Sequence, residues 1–460
     1  MGDFNLYHLD KSKNIHFIGI GGVSMSALAV ILKNDGFSVS GSDFKESEAT
    51  KDLIKKGIDV RIGHLPENLV NVCCVVYTAA IKEDNLELSY ARTLGVPVMD
   101  RAAMLGEIMK NYKFPICISG THGKTTTTSM LTNIFLKADK DPSVLVGGNL
   151  SSIGGNMRDG GKDYLITEAC EYCRSFLKFY PFMEIILNVE EDHLDCFKDI
   201  DDIKECFRSF TENPPKDGYI IANYDDANTI DVVKDAKCKV VSYAVENEDA
   251  DYLAKNITYA GGCGEFDVYY KNEKMMKVSF SVTGEHNVSN ALSCVAAAKA
   301  LGIENDDICD GIFSFTGTAR RFEIRGKVNG APVIDDYAHH PTEIKATLKA
   351  AKNYTNGKIY GIFQPHTYTR AYKLLSEFSE SFYMADEIIV TDIYAAREKD
   401  TGLITSEKVT EEINKKSKNA VYVKEFSDIC DYLRKNVKEG DLVITLGAGN
   451  VNDICKMLTE

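Results

Sequence analysis

The stretch Gly120-Thr121-His122-Gly123-Lys124-Thr125-Thr126 constrains this chain more than any other. An apolar run at residues 115–119 leads into it, and a helical pattern follows to residue 136. Strand, glycine turn and helix in that order make a phosphate cradle. Backbone N–H groups and the helix N-terminus face an anion, a lysine reaches the β/γ-phosphates, and a hydroxyl can ligate Mg2+. The loop is shorter than the strict G-x4-G-K-[ST] form, because Ile118 rather than glycine precedes Ser119. Elsewhere, too, short apolar runs alternate with helical-period segments, which predicts an α/β fold with mostly parallel sheets.

The alternation restarts twice. Its 460 residues suit about three domains of roughly 150 residues each, placed at 1–110, 111–318 and 319–460. Strands are expected at residues 14–20, 37–40, 72–78 and 96–99 of the first, a Rossmann-like unit. The central P-loop unit has them at 115–119, 164–169, 184–189, 219–222 and 239–243. A small antiparallel addition follows at 252–283, with a turn at Gly261-Gly262, then an alanine-rich helix at 287–301. The third, again Rossmann-like, has strands at 322–328, 332–338, 358–363, 387–391, 420–423 and 442–446.

Charge excludes some functions. With 53 basic and 68 acidic side chains, the net charge is −15, unfavourable for a sequence-independent grip on nucleic acid or an anionic membrane. The first residues lack the pattern of a signal peptide, and no run reaches the roughly 18 apolar residues of a membrane span. Thirteen scattered cysteines, including Cys73, Cys74 and Cys117 in apolar runs, suit buried free thiols in a reducing cytoplasm.

Other motifs fall at strand ends. Gly19-Ile20-Gly21-Gly22-Val23-Ser24 follows a strand and opens a helix, and Asp43 lies at the end of the second strand. Alone, this pattern points to NAD and a hydride-transferring oxidoreductase, although the same turn suits any nucleotide diphosphate. Glu168 and the segment Asn188-Val189-Glu190-Glu191-Asp192-His193 are placed beside the phosphate loop, where a carboxylate and an imidazole can complete a metal site. Cys170, Cys173, His193 and Cys196 have a spacing that also allows structural zinc. Asn287 and Asn290 can pair with an adenine edge or simply cap their helix. In the third domain, Arg320-Arg321, Asp336, His339-His340 and the series from Gln364 to Arg370 are expected at one sheet edge, where Arg321 and Arg370 can hold anions. Gly447-Ala448-Gly449 is an anion site or a tight turn.

In order, these motifs resemble the Mur ligases over essentially the whole chain, and within them the branch that adds L-alanine to UDP-N-acetylmuramate. The resemblance implies that the first domain binds UDP-sugar at Gly19, Gly21, Gly22, Val23, Ser24 and Asp43. It implies ATP at Gly120–Thr126, Asn287, Asn290, Arg321 and Asp336. Two Mg2+ ions are implied, held by Thr125, Glu168 and His193. Lys124, Glu168, His193, His339 and Arg370 are the implied catalytic residues. The implied reaction activates the muramoyl carboxylate as an acyl phosphate, which the alanine amine then attacks. A ligase joining the same UDP-sugar to a recycled murein peptide is the alternative. The chain departs from many relatives in having Cys170 and Cys173 after Glu168, and Thr367 in place of arginine.

Overall fold

A computed structural model describes residues 4–193, 196–260, 263–282, 284–396, 398–400 and 402–460. Three sheets follow one another along the chain. The first contains β1 (Asn14–Ile18), β2 (Ser38–Asp43), β3 (Asp59–Ile62), β4 (Val72–Tyr77) and β5 (Val98–Asp100). Their order is β3-β2-β1-β4-β5, parallel throughout. The order reverses at β1, so the turn after β1 sits at the crevice where open α/β sheets take ligands.

The second sheet holds β6 (Phe114–Ser119), β7 (Ser143–Leu150), β8 (Gly155–Arg158), β9 (Tyr164–Glu168), β10 (Met183–Ile186), β11 (Tyr219–Asn223) and β12 (Lys239–Ala244). It continues through β13 (Tyr252–Ala260), β14 (Cys263–Tyr270) and β15 (Glu273–Phe280), the expected antiparallel addition. The expected Gly261-Gly262 turn lies outside the described residues. Strand β6 runs parallel between β10 and β9. Their C-terminal ends therefore emerge side by side, bringing Gly120, Glu168 and residues 188–193 to one edge.

The third sheet contains β16 (Glu323–Val328), β17 (Ala331–Asp336), β18 (Ile359–Phe363), β19 (Glu387–Val390), β20 (Ala420–Tyr422) and β21 (Leu442–Leu446), ordered β16-β17-β21-β18-β19-β20. Only the β16–β17 pair is antiparallel. The ends of β17, β21 and β18 are neighbours, so Asp336, Gly447 and Gln364 also share an edge.

Strand alternation sets the layers. Ile116 and Ile118 of β6 face a cluster with Val288, Leu292 and Val295 of the helix His286–Ala300. Cys117, between them, faces a different cluster that joins Leu165 and Phe176 to Phe17, Leu28 and Met104 of the first domain. Within it Phe176 stacks on Phe210 with ring centroids 4.2 Å apart, and burying each ring contributes about 1.5–3 kcal/mol. In β18, Ile359 and Phe363 pack on one face, and Tyr360 and Ile362 on the other.

Three strands escape the sequence reading. β3 is a largely exposed edge strand. β7 carries Gly147-Gly148, and Gly154 turns into β8 at φ +67°, so neither shows clean alternation. Cys73, Cys74 and Cys117 are buried free thiols, as expected. Among the described residues, no helix is long and apolar enough to cross a membrane.

Candidate active site

Beyond β6 the chain needs glycine. Gly120 takes φ +131° and Gly123 φ +85°, values that other residues reach only with strain. A Cβ on Gly123 would stand 2.8 Å from Asn290 Oδ1. Gly123 is the N-cap of the helix Lys124–Lys137 and offers no side-chain cap, which leaves the first-turn N–H groups to an anion. Thr125 and Thr126 lie in that first turn. The loop is pinned to the segment after β10. Thr121 N–H donates to Asn188 O (3.2 Å), His122 N–H donates to Asn188 Oδ1 (2.8 Å), and Glu190 N–H donates to Thr121 Oγ1 (2.9 Å).

Lys124 Nζ donates to Gly120 O and, at 3.2 Å, to Thr121 O; Glu171 Oε2 is 3.4 Å away. Burial opposes its charge, but Glu171, Cys170, Glu168 and Asp192 outweigh it and hold the ammonium above the usual lysine range. Glu168 Oε1 accepts the Gly147 N–H at 2.6 Å. A Cβ on Gly147 would lie 3.0 Å from both Glu168 carboxylate oxygens, and one on Gly148 3.1 Å from Thr125 Cγ2. The two glycines thus clear space over a carboxylate and a threonine, an oxygen-donor set of the kind Mg2+ takes. Glu168 and Thr125 fit that ion. His193 is turned elsewhere. Its Nε2 lies 3.8 Å from both Glu171 Oε1 and Asp192 Oδ2, and its ring packs edge-on against Tyr172.

The third domain closes on this edge. Arg370 donates to Asp192 Oδ1 from Nη2 (2.8 Å) and Nε (3.3 Å). Burial would raise the Asp192 carboxyl, but Arg370, His193 and His339 hold it well below the carboxylate range. His339 Nδ1 lies 3.0 Å from Tyr337 O. A carbonyl only accepts, so Nδ1 carries the proton and Nε2 is left as an acceptor. Burial lowers the His339 imidazole to about 3, so it is neutral. Asp336 uses both oxygens on backbone, accepting Phe322 N–H and Ala338 N–H at 2.8 Å each. It therefore fixes the turn that carries Arg321. Arg321 lies 3.5 Å from Glu343 Oε1 and over the Tyr337 ring.

Between the second and third domains lies a cavity of about 1030 Å³. His122, Gly123, Thr126, Asn287, Asn290, Arg321 and Asp336, all expected at ATP, line it. Asn290 Nδ2 donates to Asn287 Oδ1 at 3.0 Å, so the pair is preset. A smaller cavity of about 150 Å³ lies between the first and second domains, lined by Ser24, Arg101, Gly147, Asn156 and Glu168. It brings the first turn of the N-terminal domain to Glu168. In that turn Gly19 has φ +83°, Gly21 N–H donates to Asp43 Oδ2 at 2.8 Å, and Gly22 caps a helix beginning at the exposed Val23 and Ser24. Asp43 is thus engaged within its own turn.

Several contributors are absent from the sequence reading. Glu171, 3% exposed, pairs with Lys124 and faces His193. Glu343 collects Arg321, His122 and His339, and Arg101 starts a helix at the C-terminal end of β5. The position of Arg101 just after a parallel strand is the signal that could have found it. The zinc reading is not supported. Cys173 Sγ and Cys196 Sγ are 2.7 Å apart, but among the described residues these cysteines and His193 form no three-ligand group.

Known proteins give the same picture. Residues 14–113 match the Mur ligase family, catalytic domain; 118–298 match the Mur ligase middle domain; 320–449 match the Mur ligase, glutamate ligase domain. The chain is 51% identical to the UDP-N-acetylmuramate–L-alanine ligase of Caldanaerobacter subterraneus subsp. tengcongensis, with 98% of each chain covered. It is 53% identical to that of Clostridium acetobutylicum, covering 97% of this chain and 98% of the relative. The crystal structure of UDP-N-acetylmuramate-alanine ligase from Thermotoga maritima superimposes with TM-score 0.80 at 28% identity, over 97% of this chain and 98% of that one. A murein peptide ligase from Psychrobacter arcticus gives TM-score 0.70 at 27% identity, with the same coverage. The oxidoreductase alternative, built on residues 19–43 alone, finds no support in these matches. The chain belongs to the Mur ligase family.

Proposed function

We propose that this protein joins L-alanine to the muramoyl carboxylate of UDP-N-acetylmuramate, using ATP, in peptidoglycan precursor synthesis. The observation that carries the reading is the meeting of three strand ends, β6, β9 and β10, under a third domain tied down by Asp192–Arg370. The roughly 50% identity of full-length relatives that bear this activity's name supports it. The chain divides as 1–110 for the UDP-sugar, 111–318 for ATP and 319–460 for the amino acid and closure.

The first-turn N–H groups and Lys124 hold the β/γ-phosphates. Thr125 and Glu168 would hold Mg2+, and His193 would serve a second ion. When bound, Mg2+ supplies positive charge against the phosphates. A muramoyl carboxylate oxygen attacks the γ-phosphorus, and the bond to the bridging oxygen of ADP breaks. Two anions meet in that step, so Lys124 counts most there. The alanine nitrogen then attacks the acyl carbon, and phosphate leaves with the oxygen it shares. The alanine reacts as its free amine, whose N–H donates to the neutral His339 at Nε2; the proton that nitrogen loses on forming the amide leaves through that contact to solvent, and Arg370 stands beside the leaving phosphate. Closure keeps water off the acyl phosphate.

The test is ADP formation with UDP-N-acetylmuramate and L-alanine, against the same sugar with an L-alanyl tripeptide. L-Alanine is expected to give the larger kcat/KM. A preference for the tripeptide would place the chain with the peptide-recycling ligases instead.

A further inference from the structure

One cluster at the domain interface joins His122 of the phosphate loop to two side chains that have no task in that chemistry. His122 from the phosphate loop, Glu190 from the segment after β10, and His340 from the third domain bring their possible ligand atoms within 4.8 Å of one another. His122 Nε2 is 3.5 Å from Glu190 Oε2, and the two imidazole rings are 4.7 Å apart.

Proton placement decides what these rings offer. His340 Nε2 lies 3.0 Å from Glu191 O. A carbonyl accepts only, so Nε2 carries the proton and Nδ1 keeps its lone pair, with which it caps the helix Pro341–Tyr354, accepting Thr342 N–H at 3.4 Å. His122 Nδ1 lies 3.3 Å from Glu343 Oε1, while its Nε2 is buried without a hydrogen bond. Each imidazole therefore has one nitrogen held by an oxygen acceptor, and the other nitrogen of His122 faces Glu190. Metal-ligating histidines have this arrangement, in which the outer acceptor fixes ring and tautomer.

The plain alternative is a protonated His122 between Glu190 and Glu343. It accounts for one ring. Helix capping and the Glu191 carbonyl account for the second ring, but neither gives a reason for the missing hydrogen bond at His122 Nε2 or for the convergence of the three groups.

We propose that His122, Glu190 and His340 form a binding site for a borderline divalent cation such as Zn2+, distinct from the Mg2+ site and bridging the phosphate loop to the third domain. Two imidazoles and one carboxylate suit Zn2+ or Co2+, whereas Mg2+ prefers oxygen ligands. Two ligands come from the middle domain and one from the third, so the ion clamps the closed arrangement. Because His122 and Glu190 also line the large cavity, the clamp holds the phosphate loop and opposes turnover.

The site does not depend on which amino acid the chain ligates. Its test is Co2+ and Zn2+ titration of the full chain in excess Mg2+, followed by Co2+ visible absorption and by calorimetry. One imidazole-ligated ion per chain is expected. Glu190→Gln and His340→Gln should each weaken it by about 100-fold, while Glu168→Gln leaves it in place. Melting curves without metal identify any variant that fails to fold, and the other then decides. Unchanged affinity in a folded Glu190→Gln or His340→Gln variant would overturn the proposal. So would loss in Glu168→Gln, or no binding in excess Mg2+.

Discussion

Replacing Lys124 with alanine should lower kcat/KM for ligation by about 10³-fold or more, the scale on which transition-state cations act in phosphoryl transfer. Lys124 starts the helix at the phosphate loop and is held by Gly120 O and Thr121 O. Its charge is kept by Glu171, Cys170, Glu168 and Asp192 against the effect of burial. The substitution also strands Glu171, which is 3% exposed, and a buried unpaired carboxylate destabilises the fold. The double variant Lys124→Ala/Glu171→Gln separates the two effects. It should recover the melting temperature and remain inactive. Recovery of ligation in the double variant would mean that Lys124 serves only to neutralise Glu171.

The second large effect concerns closure. Asp192→Asn removes the charge that Arg370 meets at 2.8 Å, with both side chains about nine-tenths buried. Breaking such a pair costs about 3–5 kcal/mol, so the closed arrangement should lose at least about 100-fold in population. Small-angle scattering should then show an opened third domain, and kcat should fall with the melting of the separate domains little changed. An unopened Asp192→Asn chain would remove this pair from the account of closure. The pH dependence follows from signs. Asp192 is depressed in the folded state, so its contribution is complete above the usual aspartate value, near 3.8, and is lost only as pH falls through the folded value. His122 is raised to about 9 against the effect of burial by Glu190 of its own domain and Glu343 of the third, so its ion pair with Glu343 across the same interface is lost as pH rises through about 9. Between pH 6.5 and 9 closure should therefore weaken on the alkaline side, through His122 and not Asp192.

Local signals were legible in the sequence, and contacts between distant segments were not. The phosphate loop could be read because Gly120 and Gly123 stand between an apolar run and a helical pattern, and both take the left-handed φ that the spacing demands. Glu168 and Asp192-His193 could be placed because parallel strands deliver their ends to one edge. Gly147 and Gly148, which clear room over Glu168 and Thr125, lie within β7 and interrupt its alternation, so no strand pattern marks them. Glu171 lies just before an irregular segment in which Cys173 and Arg174 have φ of 50° and 56°, so no periodicity marks it. Asp192 and Arg370 are 178 residues apart, and His122–Glu343 likewise joins two domains. Such pairs exist only once the sheets face each other. Asp336, expected near the nucleotide, lines the large cavity. That its carboxylate is spent on Phe322 and Ala338 depends on backbone geometry that composition does not carry.

The central claim is that the muramoyl carboxylate is activated by phosphoryl transfer at the edge formed by β6, β9 and β10. UDP-N-acetylmuramate labelled with 18O in that carboxylate, turned over with ATP and L-alanine, tests it directly. The account predicts one 18O atom in the inorganic phosphate for each amide formed, with ADP as the other product. Label appearing in AMP with release of pyrophosphate, or no label in phosphate, would contradict it.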